Sequence, residues 1–278
     1  MPYRLLALDI DGTLLDSAGV LRPRVREAVR AVAAAGCTVA LATGRRYAAA
    51  LEVAAALGLD TPLILHNGAL VRQAASGAVL VQVTVPRAAA EAAAQLAMAA
   101  GLQVLAFLPP VQEEGLRLGP PELDSELVAC YLANCELPVE RRPLAALLDG
   151  VEPLRLVLMD EAARLAPLAS QLASRADCRL TRNAFRLFGR MFHVLDVLAP
   201  GCSKGSALQA LAQRLGIALA DTVAVGDHWN DLEMLAAAGL GIAMGNAPAA
   251  VRAQADLVAA SCDAEGLAEV LATLPFGG

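Results

Sequence analysis

The sequence predicts an α/β protein, a doubly wound parallel-sheet core interrupted by an inserted α+β domain. Three observations carry this. Apolar strand-like runs alternate with helical patterns through the first 70 residues, the same alternation resumes after residue 199, and the stretch between lacks it. Leu5–Asp9 reads as a strand, 23–35 as a helix, 37–43 as a strand, Tyr47–Leu57 as a helix and 63–66 as a strand. That βαβαβ order implies a parallel sheet covered on both faces. Pro23 suits the first turn of its helix and Gly36 the position just past its end. Near the carboxy terminus, Lys204–Leu215 reads as a helix, Thr222–Gly226 as a strand, 232–238 as a helix, 241–244 as a strand and 263–272 as a helix.

The middle third follows another pattern. Residues 79–85 alternate like an exposed strand, followed by a helix near 86–100 and a short strand at 103–107. The Pro/Glu/Gly-rich stretch 109–121 reads as a loop. A strand at 154–159, a helix near 161–175 and strands near 178–182 and 191–197 complete the block. Its flanks need each other to finish one sheet, so it is most simply an insert. The expected division is a Rossmann-like core of residues 1–83 and 199–278 with an inserted α/β domain of residues 84–198.

Composition narrows the function classes. The chain has 278 residues, 57% hydrophobic and 18% charged, enough for two folded domains and far from a disordered composition. A net charge of −6 without a basic run argues against nucleic acid or an anionic membrane as partner. No apolar stretch reaches the roughly 18 residues a membrane span needs. Met1-Pro2-Tyr3-Arg4 leads into a strand without a signal-peptide layout, and a cytoplasmic location is expected. Six cysteines lie scattered with no Cys-x-x-Cys pair, so a zinc site is not expected.

The chemistry gathers at strand ends. Asp9-Ile10-Asp11-Gly12-Thr13 follows the apolar run 5–8, and Gly226-Asp227-His228-Trp229-Asn230-Asp231 follows the run 222–225. An open α/β sheet collects its ligands at such ends. Several carboxylates converging on one small volume raise each other's pKa unless a cation neutralises them, and hard oxygen ligands suit Mg²⁺. Asp9 can take a phosphoryl group as an acyl phosphate. Asp11 can protonate the leaving oxygen and then activate water, with its backbone carbonyl on the metal. Thr43 can donate its hydroxyl to a phosphoryl oxygen, Lys204 supplies positive charge, and Asp227 completes the metal shell. Asn230 and Asp231 can hold the phosphate or Lys204 in register. Asp231 also reads as an ordinary charge at a helix N-terminus, Asn67 as a turn cap and Arg45 as a surface charge.

Four segments in order carry a resemblance: Asp9-Ile10-Asp11-Gly12-Thr13, Leu41-Ala42-Thr43-Gly44-Arg45, Ser203-Lys204-Gly205, and Gly226-Asp227-x-x-Asn230-Asp231. They resemble the four motifs of the haloacid dehalogenase-like phosphohydrolases, over nearly the whole chain. The insert between motifs two and three, and the turn His66-Asn67-Gly68-Ala69, resemble the Cof-type subfamily. The resemblance implies a Mg²⁺-dependent phosphatase acting through an aspartyl-phosphate on a small phosphorylated metabolite, a sugar phosphate or a phosphorylated cofactor. It places Gly44, Arg45, Asn67, Gly68 and Asn230 at the phosphate. It also implies that the insert is a cap, with Arg182 and Arg186, from a basic cluster that includes Arg190, reading the substrate. A solvated hairpin face fits those arginines equally well. A sugar phosphomutase and a non-catalytic phosphometabolite-binding protein are the alternative readings. Oligomeric state is left open.

Overall fold

A computed structural model describes residues 2–110, 114–187 and 190–277, with the side chains of 185–187, 190 and 192 outside that description. The chain begins with β1 (Leu5–Asp9), α1 (Pro23–Ala34), β2 (Thr38–Ala42), α2 (Tyr47–Leu57), β3 (Pro62–Leu65), β4 (Leu70–Gln73) and β5 (Val79–Gln82). Next come α3 (Arg87–Ala99), β6 (Leu105–Leu108), β7 (Gly115–Leu118), α4 (Glu126–Ala133), β8 (Val139–Arg141), β9 (Arg155–Asp160), α5 (Ala162–Ala173), β10 (Arg179–Leu187) and β11 (Arg190–Leu198). The last stretch is α6 (Lys204–Leu215), β12 (Thr222–Gly226), α7 (Leu232–Ala237), β13 (Leu240–Ala243), α8 (Ala249–Arg252), β14 (Leu257–Val258) and α9 (Gly266–Leu271). These elements form two compact units, Met1–Val81 with Ser203–Gly278, and Gln82–Cys202.

In the first unit the sheet order is β14-β13-β12-β1-β2-β3-β4-β5. Pairing is parallel from β14 through β3 and antiparallel between β3 and β4. Every residue of β1 is buried, as expected of a central parallel strand covered on both faces. Successive crossovers run from β1 to β2 and β3 on one side, while β12 to β14 extend the other side. The direction therefore reverses beside β1, and the crevice at that point is where an α/β sheet binds its ligand. Asp9 is level with Ala42, and Leu8 with Val225, so Asp9, Thr43 and Asp227 all leave the sheet at one edge. Helix α1 turns Val25, Val29 and Val32 inward, and α6 buries Ala207, Leu208, Leu211 and Ala212, each at helical spacing.

The strand expected at 63–66 ends at Leu65, because His66 and Asn67 take left-handed φ values of 50° and 55°. The chain then reverses into β4, a strand the sequence reading lacked. The reversal brings Gly68 against the start of α6. A Cβ on Gly68, whose φ is +103°, would lie 2.1 Å from the Ser203 carbonyl oxygen. Only glycine permits that approach.

The second unit holds a six-stranded sheet of order β10-β11-β9-β6-β7-β8. Helices α3 and α5 cover one face through Ala90, Ala97, Leu165 and Leu172 against Leu156, Leu158 and Leu195. Helix α4 covers the other, where Val128 joins Leu105, Phe107, Leu116 and Leu118. The expected loop 109–121, of which residues 111–113 lie outside the described residues, is corrected at its centre, since Gly115–Leu118 forms β7 and pairs with β6. Its period-two pattern is short: Leu116 and Leu118 are buried, while Arg117 reaches Glu140 at 2.7 Å on β8. The surrounding Pro, Glu and Gly hid it. Among the described residues, no helix is long and apolar enough to cross a membrane.

The Gly68 contact gives a test of this packing. Gly68→Ala combines a left-handed backbone, costing about 1–3 kcal/mol for a non-glycine residue, with a backbone clash that α6 must yield to relieve. Urea unfolding should show a loss of at least that size. A loss under about 0.5 kcal/mol, the range of ordinary surface substitutions, would contradict the close approach.

Candidate active site

Lys204 is the first residue of α6. Ser203 caps the helix, its Oγ accepting from the Ser206 N–H at 3.0 Å, while the Ser206 Oγ accepts from the Ser203 N–H at 2.9 Å. This capping box fixes where the Lys204 side chain starts. The side chain is 1% exposed, and its Nζ donates to Asp9 Oδ1 at 2.5 Å and to Asp231 Oδ1 at 2.7 Å. One ammonium thus joins the end of β1 to the turn after β12.

Asp231 has no oxygen to spare. Its Oδ2 accepts the backbone N–H groups of Asp227 at 3.1 Å and His228 at 2.9 Å. Those bonds fold residues 227–231 into one turn, and Gly226 allows it, since a Cβ there would lie 2.5 Å from the Asp231 Cβ. The sequence left Asp231 open between a helix-end charge and a partner for Lys204; its side chain is bonded to Lys204.

The ligand oxygens of Asp9, Asp227 and Asp231 lie within 4.8 Å of one another. Three carboxylates face one ammonium, an excess of negative charge in a buried volume. Burial, then Asp231, hold Asp9 well above the ordinary carboxylate range against the pull of Lys204. Asp227 is pushed up to about 6, first by burial and then by Asp231. Burial opposes the Lys204 ammonium, but Asp231 and Asp9 outweigh it and keep the lysine above its ordinary value. His228 is lowered chiefly by burial.

The donor set fits a hard divalent cation. Asp227 Oδ1 is buried without a hydrogen-bond partner among the described residues. The Asp227 charge also helps to raise the Asp9 carboxyl, a repulsion that a cation between the two would relieve. Asp231 is committed elsewhere, which among the described residues of this cluster leaves Asp9 and Asp227 as the side chains able to hold such an ion.

The remaining expected residues fall into two groups. Thr43 is buried at the end of β2, and its Oγ1 accepts from the Arg45 N–H at 3.0 Å, leaving its own hydrogen to donate. Asn67 Oδ1 accepts from Asn230 Nδ2 at 3.1 Å, and Gly44 packs against the same Asn67 amide. Gly68 meets the Ser203 backbone. Asp11, two residues beyond Asp9 and past the strand, is more than half exposed. It accepts from Arg45 Nε at 2.9 Å and Nη2 at 2.5 Å. The carboxylate cluster therefore does not include the Asp11 side chain. In the second unit, Arg182 is exposed on β10, and the side chain of Arg186 lies outside the described residues.

Sequence reasoning passed over Asn246. Its Nδ2 donates to the Gly12 carbonyl at 2.8 Å and to Asp227 Oδ2 at 3.1 Å, and its Oδ1 accepts from the Cys262 N–H at 2.9 Å. The available signal was Gly245-Asn246 directly after an apolar strand, at the same sheet edge as the two acidic motifs.

Known proteins share this arrangement of the chain. The family pattern of the haloacid dehalogenase-like hydrolases matches residues 6–271. The sequence is 29% identical over 294 residues to pyridoxal phosphate phosphatase YbhA of Escherichia coli (strain K12), covering 98% of each chain. It is 32% identical over 257 residues to HMP-PP phosphatase of Cronobacter sakazakii, covering 88% of this chain and 85% of the other. The fold is similar to the crystal structure of a haloacid dehalogenase-like hydrolase from Bacteroides thetaiotaomicron, with a TM-score of 0.76, 25% identity and coverage of 97% and 98%. The chain belongs to the haloacid dehalogenase-like hydrolases, as a phosphatase of their Cof type.

Proposed function

We propose that this protein is a Mg²⁺-dependent phosphatase that hydrolyses a small phosphorylated metabolite in the cytoplasm, through an aspartyl-phosphate on Asp9. The observation that carries the reading is Lys204 Nζ, buried between Asp9 and Asp231 beside an Asp227 oxygen that lacks a partner among the described residues. Asp9, the Asp11 carbonyl and Asp227 would hold the Mg²⁺. When bound, the ion supplies charge neutralisation and a fixed contact for a phosphoryl oxygen. The names of the relatives, a pyridoxal phosphate phosphatase and an HMP-PP phosphatase, support a small phosphorylated metabolite as the substrate.

The steps follow from the side chains. Asp9 attacks phosphorus with a carboxylate oxygen while the ester P–O bond breaks, and Asp11 gives its proton to the leaving oxygen. Water then attacks phosphorus, Asp11 takes the proton, and the acyl-phosphate P–O bond breaks to return Asp9 and inorganic phosphate. Lys204 and the Thr43 hydroxyl stabilise the equatorial oxygens as charge spreads over them. Arg45 now holds Asp11, so that pair opens first. An exposed ion pair is worth only about 0–1 kcal/mol, and its opening adds little to the barrier. The Gln82–Cys202 unit selects the substrate, with Arg182 among the residues that read its leaving group.

Asp9→Asn is expected to fold and to lose turnover, the amide being isosteric and a poor nucleophile. Steady-state assays should show less than a tenth of wild-type kcat; a smaller loss, under about 1.4 kcal/mol of barrier, would remove Asp9 from the role. Asp11→Asn should lose least on substrates with good leaving groups, since those need no acid.

Metal and pH are linked through Asp227. Its folded pKa of about 6 exceeds its unfolded value near 4. The metal-free protein therefore has this contribution in full below about pH 4 and loses it as pH rises through about 6. Bound Mg²⁺ offsets that loss, so the rise in Tm on adding Mg²⁺ should be larger at pH 7 than at pH 5. Chelation should abolish activity, Mg²⁺ should restore it, and Ca²⁺ should restore little because its looser shell misplaces the reacting atoms. Full activity after exhaustive chelation, or a Mg²⁺ shift that shrinks from pH 5 to pH 7, would contradict the metal reading.

Substrate choice is tested on a panel of sugar phosphates, phosphorylated cofactors and a phosphopeptide. Arg182→Ala should reorder kcat/KM among the metabolites by several-fold and leave Mg²⁺ dependence as it was. A phosphopeptide that proves the best substrate would overturn the small-metabolite assignment.

A further inference from the structure

Asn246 sits where its orientation is forced. The Cys262 backbone N–H can only donate, so the amide oxygen of Asn246 must face it, 2.9 Å away. The Asn246 NH₂ group is thereby turned toward two acceptors, the Gly12 carbonyl at 2.8 Å and Asp227 Oδ2 at 3.1 Å. Gly12 closes in on the same oxygen, since a Cβ at that position would lie 2.5 Å from Asp227 Oδ2. One oxygen of Asp227 is thus occupied and crowded, while Oδ1 is buried and bare among the described residues.

A carboxylate held this way has one oxygen to offer. Mg²⁺ demands near-octahedral geometry at short distances and suits single oxygens from separate carboxylates. Ca²⁺ takes more ligands at longer distances and accepts both oxygens of one carboxylate. We propose that Asn246 is a positioning residue, pinning Asp227 as a one-oxygen ligand and thereby setting the preference of the site for Mg²⁺ over Ca²⁺. The inference rests on the divalent-cation reading of the site. Asn246 does not touch the reacting atoms; it acts through Asp227.

The test measures cation binding without turnover. Mg²⁺ and Ca²⁺ are titrated by calorimetry and by thermal shift into wild type, Asn246→Ala and Cys262→Ala. Asn246→Ala should weaken Mg²⁺ about tenfold and Ca²⁺ clearly less, because a released Asp227 can turn both oxygens to the larger ion. The Mg²⁺-to-Ca²⁺ affinity ratio should fall, and kcat at saturating Mg²⁺ should recover far more than activity at low Mg²⁺. Cys262→Ala keeps the backbone N–H and should leave both affinities within twofold of wild type. If Asn246→Ala does not fold, Asn246→Ser replaces it, since serine is too short to span from Cys262 to Asp227. An unchanged Mg²⁺-to-Ca²⁺ ratio in a folded Asn246 variant overturns this assignment alone. A wild-type protein that binds no Mg²⁺ overturns the cation reading and this inference with it.

Discussion

The core is organised around one buried ammonium. Lys204 lies 2.5 Å from Asp9 and 2.7 Å from Asp231, inside a site that leaves it 1% exposed. Taking an ammonium out of water costs several kcal/mol even after relaxation, and the burial is tolerable only when partners are held in place. Three pieces of chain must therefore arrive together: the end of β1, the first turn of α6 and the turn after β12. Gly68, Gly226 and the Ser203–Ser206 capping box are the local devices that permit it. Losing either carboxylate still leaves the ammonium a partner, whereas losing Lys204 leaves buried carboxylates uncompensated, a penalty of about 3–5 kcal/mol. The same contacts that hold the fold at this edge place Asp9, the proposed nucleophile, beside a cation, so stability and the proposed chemistry depend on one interaction.

The second constraint is arithmetic of charge. Asp9, Asp227 and Asp231 share one lysine, and the imbalance falls on Asp9, held well above the ordinary carboxylate range, and on Asp227, pushed up to about 6. Asp231 is the best satisfied, bonded to Lys204 and to two backbone N–H groups. Among the described residues, Asp227 retains a bare oxygen. Those unequal environments set chemically identical side chains apart: Asp231 fixes the lysine, while Asp9 and Asp227 carry the excess charge. Arg45 keeps Asp11 apart from this cluster, at the exposed rim.

Much of this was legible because central parallel strands are buried on both faces. The runs at 5–8 and 222–225 read as unbroken apolar stretches ending in acids, and β1 and β12 stand where those runs do. Short or half-exposed strands gave no such signal. β4 follows a turn made by two left-handed residues, β7 hides among Pro, Glu and Gly, and β14 is two exposed residues at a sheet edge. Pairings across the chain were invisible for a different reason. The Arg45–Asp11 ion pair joins residues 34 apart, and the Asn246 contact with Gly12 spans 234 positions. No local pattern encodes either one, since each depends on how strand ends converge after folding.

Covalent phosphoryl transfer to Asp9 is the central claim, and stereochemistry at phosphorus tests it most directly. A substrate whose phosphoryl group is made chiral with oxygen isotopes is hydrolysed in isotopically labelled water, and the configuration of the released phosphate is read by phosphorus NMR. Two successive in-line displacements, first by Asp9 and then by water, predict retention overall. Inversion, the mark of one direct attack by water, would contradict the account.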